Sequence, residues 1–77
     1  MEDIFMNDQE VVILYRNWQG EIANRRILPK SVYYGSSQWH PKQQWLLIAD
    51  DLEKNAERHF ALKDILSWSP KKINAGV

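Results

Sequence analysis

The chain has no cysteine among its 77 residues, which excludes a disulfide framework and a cysteine zinc site and is compatible with a reducing cytoplasm. Only three glycines occur, and they form neither a Gly-x-Ser-x-Gly elbow nor a Gly-rich phosphate loop. No run approaches the ~18 apolar residues of a membrane span, and residues 1–9 carry neither a positive n-region nor an apolar h-region. These absences predict a cytoplasmic, non-exported protein with no membrane partner. Charge of one sign is missing too: ten basic and ten acidic residues balance to zero, which argues against a polyanion binder of the strongly basic kind. A chain this short buries only roughly 60 % of its unfolded surface. One domain with a small core follows, and a homodimer is a serious expectation.

What is present is organised around Gln44-Trp45-Leu46-Leu47-Ile48-Ala49-Asp50. Trp45, Leu47 and Ala49 alternate onto one face and Leu46 and Ile48 onto the other, so this run predicts a central strand covered on both sides. Before it, Val11-Val12-Ile13-Leu14-Tyr15 is β-branched and aromatic, and Asn17-Trp18-Gln19-Gly20 supplies the turn formers Asn and Gly. A strand over 11–16, a hairpin turn and a second strand over 21–28 follow, the last ended by Pro29, which removes a ladder donor. Residues 31–35 predict a third short strand, and residues 36–43 a loop carrying Trp39, His40 and Pro41 into the central strand over 44–50. Residues 1–9 are expected to be flexible, 10–68 to form the domain, and 69–77 to be a frayed tail.

The segment from Asp50 to Trp68 is ambiguous by pattern. Leu52, Ala56 and Phe60 at i, i+4 spacing, with no Gly or Pro before Pro70, fit an amphipathic helix. Pattern alone favours the helix; the competing reading is a turn near Lys54-Asn55 followed by a strand over 57–62, with Arg58, Phe60 and Leu62 on one face.

The landmarks that decide between them are Tyr15 with Gly20-Glu21, then Arg26-Ile27-Leu28-Pro29, then Trp45-Leu46-Leu47, then Arg58-His59-Phe60-Ala61-Leu62 with Ile65. In this order they resemble the WYL domain, a small SH3-like or Sm-like β-barrel module of bacterial transcription regulators and phage-defence proteins. The resemblance covers most of the chain and implies an all-β, SH3-like five-stranded barrel. In that family the closing motif is a strand followed by a short helical turn, here placed near 63–66, so the strand is preferred over the helix. Leu46 stands where the family has its eponymous tyrosine, Ala61 replaces a basic position, and Lys63-Asp64 replaces an Asp-Arg pair; these positions help line the family's proposed ligand groove. The expected core is Val12, Leu14, Ile27, Val32, Trp45, Leu47, Phe60, Leu62 and Ile65, together with Tyr15.

Candidate site residues are Arg26, Arg58, Leu46, Trp39 and His40. Arg25 and Arg26 are adjacent, so in a strand only one of them enters a common site. The resemblance selects Arg26, whose readings are a guanidinium clamping phosphate and an exposed arginine covering apolar surface with its stem. Arg58 admits convergence with Arg26 on one anion, or pairing with Glu57 or Asp64. Trp18 and Trp39 lie in predicted loops and are the aromatic platforms on which bases would stack. Two histidines without cysteine are too few for zinc, and no cofactor is expected. A Ser-His-Asp set assembles only on paper from Ser36 or Ser37, His40 and Asp50, so an enzyme is not expected. The resemblance implies a stand-alone regulatory or ligand-sensing module for a nucleotide or short single-stranded nucleic acid. The alternative is a protein-interaction or homo-oligomerisation module without a small ligand.

Overall fold

The computed structural model describes residues 9–70, which form one five-stranded antiparallel sheet. In chain order the strands are β1 (Val11–Arg16), β2 (Ile22–Ser37), β3 (His40–Asp51), β4 (Ala56–Ala61) and β5 (Ile65–Pro70). A single 3-10 turn, Leu62–Asp64, joins the last two. The spatial order is β4-β3-β2-β1-β5, so β4 and β5 are consecutive in sequence yet stand at opposite ends of the sheet. No ladder joins them among the described residues, and the sheet is not closed into a barrel.

The first hairpin follows from its turn residues. Gly20 takes a positive φ of 86°, which costs a glycine little, and the Asn17 carboxamide oxygen accepts the amides of Gln19 and Glu21 at 2.9 Å each. This turn sets the register that places Ile13 opposite Arg25 and Val12 opposite Arg26. Val11, Ile13 and Tyr15 therefore face the core with Ile27, Leu47, Ala49 and Phe60, and Val32 and Ile65 pack against them. Val12 and Leu14, expected inside, are on the other face and only half-buried. A run in which every residue is apolar carries no phase of its own, and the period of two makes Tyr15 inside incompatible with Leu14 inside.

Two expected strands are one. Pro29 does not end the second strand: it lies opposite Ala49, and the register shifts between Pro29 and Ser31, leaving Lys30 as an extra residue in a bulge. The predicted loop over 36–43 is likewise a tight hairpin turn at Gln38 and Trp39, with β3 already under way at His40. Residues 56–61 are extended and paired with β3, as the strand reading of that segment required. The helical turn comes slightly earlier than expected, and residues 65–70 form a strand that the pattern did not signal. Ser69 and Pro70 belong to that strand; the rest of the expected tail, 71–77, and residues 1–8 lie outside the described residues. Among the described residues no helix is long and apolar enough to cross a membrane.

Two further core expectations fail for one reason. The β2–β3 hairpin outruns β4, whose last residue Ala61 pairs with Leu46. Trp45 sits one residue beyond that cover and is 54 % exposed, packed edge-on against Tyr34 at 5.3 Å between ring centres. Leu62 has already left the sheet for the 3-10 turn and is exposed.

A candidate ligand cleft between two hairpin tips

β2 runs through 16 residues, which would span about 50 Å if it were straight. Its two ends nevertheless line one cleft, because the strand curls: Trp18 in the β1–β2 turn and Trp39 in the β2–β3 turn face the same open space of about 320 Å³. Trp18 is 87 % and Trp39 62 % exposed. Tyr15 and Phe60 also line this space, and Arg25, Lys54 and Arg58 bring cations to it, with no carboxylate lining it among the described residues. A second space of about 290 Å³ shares Tyr15, Trp18, Trp39 and His40 and runs on past Lys42 to Lys63 and Asp64. The two are parts of one groove.

Each of these side chains has a local reason for its place. Tyr15 is held against Phe60 in an edge-to-face contact at 4.9 Å, and its hydroxyl oxygen accepts the amide of Ala61 at 3.0 Å. Burial raises the phenol's pKa above its ordinary value. Arg25 lies opposite the buried Ile13 and so points to the core face, where its Nη1 donates to Asp51 Oδ2 at 3.1 Å. Asp51 is fully buried, and its other oxygen accepts the amides of Glu53 and Lys54 at 3.0 and 3.1 Å. The carboxylate thus fixes both Arg25 and the β3–β4 turn, whose Asn55 adopts a φ of 56°. Arg58 is opposite Ala49 and shares its face. It has no carboxylate partner among the described residues, since Glu57 pairs with Lys30 and Asp64 with Arg16 and Lys63.

His40 starts β3 with its Nδ1 3.3 Å from Ser37 Oγ. Burial lowers its pKa below the ordinary value; Asp64 opposes the shift, and His59 and Lys63 add to it. His59, also lining the cleft, holds the Tyr33 hydroxyl at 2.9 Å through Nδ1. The paper triad does not assemble: Ser37 and His40 meet, but Asp50 is engaged by Lys30 at 3.3 Å. Among the described residues no group of three or more potential metal ligands occurs.

Of the five residues singled out from sequence, Arg58, Trp39 and His40 come together and two do not. Arg26 leaves on the opposite face of β2, where its Nε donates to Glu10 at 2.9 Å. Leu46 has no exposed surface, so no ligand in this groove touches it. Of the adjacent pair, Arg25 lines the cleft and Arg26, which the resemblance selects, does not. The signal was available in the hairpin, since the Asn17 to Gly20 turn pairs residue 25 with residue 13, and an inward Tyr15 makes Ile13 inward as well. Lys54 carried no such signal, because its position depends on the cap that Asp51 places on the β3–β4 turn.

Comparison with known proteins finds no family model, no curated protein and no solved structure that matches the chain.

Proposed function

We propose that this chain is a small binding module for an anionic ligand with a planar base, a nucleotide or a short single-stranded nucleic acid, held in the cleft between the two hairpin tips. The observation that carries this reading is the convergence of Trp18 and Trp39 on a space lined by Arg25, Lys54 and Arg58. Base stacking on an exposed indole is worth ~1–3 kcal/mol and is indifferent to sequence. A guanidinium beside it takes a phosphate through two parallel N–H bonds. The sheet, curled but open between β4 and β5, is read as an SH3-like small barrel, and the resemblance to the WYL domain supports a cytoplasmic, regulatory module that senses its ligand and passes the signal to a partner. No step of catalysis is assigned to it.

The test is a titration with nucleotides and short oligonucleotides at low salt, followed by tryptophan fluorescence and backbone chemical shifts. Shifts are expected at Trp18, Trp39 and Arg58. Arg58→Ala is expected to weaken binding about ten- to a hundredfold, as for loss of a charged hydrogen bond, while Arg26→Ala on the far face leaves it unchanged. Equal losses from both variants, or no shifts in the cleft, would refute the reading.

A second reading, a protein-interaction or self-assembly module, is favoured by a different observation. Tyr34, Trp45, Leu66 and Trp68 are exposed outside the cleft, and large exposed apolar groups of this kind are enriched at interfaces.

A further inference from the structure

The two edges of the sheet are unlike. On the β4 edge the chain places Glu57, Arg58 and His59 in succession, and the amide of Ala61 is taken by the Tyr15 hydroxyl. Charged side chains and an occupied donor are devices by which an edge strand resists pairing with another chain. The β5 edge, Ile65-Leu66-Ser67-Trp68-Ser69-Pro70, has no charged residue at all. It pairs with β1 along one side and with no described strand along the other. Leu66 and Trp68 are 42 % and 44 % exposed on it, and alternate residues of an antiparallel edge turn their N–H and C=O groups outward.

We infer that β5 pairs with β5 of a second copy of this chain, antiparallel across a two-fold axis, to make one continuous ten-stranded sheet. A two-fold antiparallel contact pairs residue i with j and j with i, so residues near the axis meet their own copies and any charge there risks meeting its like. β5 contains none, and is self-complementary for that reason. Trp68 and its copy are brought within reach of each other across or diagonally to the axis, where an aromatic pair adds to the ladder. Pairing of β5 with the partner's β4 is disfavoured, because that edge has its Ala61 donor engaged and its Arg58 turned to the cleft. The inference gives the self-assembly reading a surface. It does not depend on the cleft, none of whose lining residues lies in β5.

Sedimentation equilibrium of the full chain over a wide concentration range tests it, with backbone shifts reporting the fold. Twice the chain mass is expected. Trp68→Lys, which removes the aromatic pair and sets two like charges together, is expected to weaken the dimer about tenfold or more. Should that variant unfold, Leu66→Lys and Ser69→Lys place the charge at exposed positions beside it and are expected to act in the same direction. In a mixture of isotope-labelled and unlabelled chains, contacts between copies are expected at residues 66–69. A monomer at the highest concentration, or a dimer whose copies touch elsewhere and tolerate all three lysines, overturns the proposal. A chain that stays monomeric at the highest concentration yet binds the oligonucleotide would overturn it while leaving the cleft reading intact.

Discussion

Asp51 is the residue on which the cleft's geometry depends, although it does not line the larger space. A carboxylate taken fully out of water needs partners on both oxygens, and it has them in Arg25, Glu53 and Lys54. Asp51→Ala is expected to lower unfolding free energy by about 2–4 kcal/mol in urea titrations, since it strands a half-buried guanidinium and uncaps a turn. Sequence patterns recognise a run of apolar residues or a turn, and Asp50-Asp51 reads there as the close of a strand or the start of a helix. Which member of the pair is buried depends on the register with β2, and adjacent acids in a row do not reveal it. His40 is a second residue-scale lever. Because its folded pKa is depressed, mainly by burial, neutral His40 is favoured by folding; its contribution to stability is complete above the unfolded value of about 6.5 and is lost as pH falls through the folded pKa. Protonation there adds a positive charge to the groove. Affinity for a phosphodiester oligonucleotide is therefore expected to rise as pH falls through the depressed folded pKa, while stability declines, and His40→Gln should flatten both profiles.

At the scale of elements, the strands were legible wherever a turn residue bounded an apolar run, as Asn17 and Gly20 bound β1. Boundaries failed where the signal was a single proline: Pro29 removes one donor, but a bulge at Lys30 absorbs the loss and the strand continues. β5 was missed because Ile65-Leu66-Ser67-Trp68 has two apolar neighbours at its start and serines after them, with neither period in force; only the partner β1 makes it a strand. Because β4 and β5 form no ladder, Tyr15 is what links the β4 end to β1 through the amide of Ala61. Tyr15→Phe keeps the ring contact with Phe60 and leaves that buried amide without its acceptor. A loss of about 1–3 kcal/mol is expected, with faster amide exchange confined to Ala61 and its neighbours. Unchanged protection at Ala61 would show that the hydroxyl does not hold the two ends together.

At the scale of the whole molecule the zero net charge and the cationic cleft make a joint statement about ligand size. Composition alone argues against a strongly basic polyanion binder; it does not show that Arg25, Lys54 and Arg58 gather in one place, because they come from β2, the β3–β4 turn and β4 and meet only through the curl of the sheet. Arg25 is already engaged by Asp51, so in the larger space about two cations, Lys54 and Arg58, remain for phosphates, and each contributes a slope of about −0.7 in log K against log salt on a single strand. The expected slope is about −1.4, a loss of about sevenfold between 50 and 200 mM salt. A duplex binder making six to ten phosphate contacts loses about a thousandfold or more over the same range. Stacking on Trp18 and Trp39 does not depend on counterion release, so a salt-insensitive affinity should remain at high ionic strength, and Trp39→Ala should remove much of it without changing the slope. A steep slope in the titration would mean that phosphates outside the cleft carry the binding, on a face whose exposed cations Arg26 and Lys30 are already held by Glu10, Asp50 and Glu57.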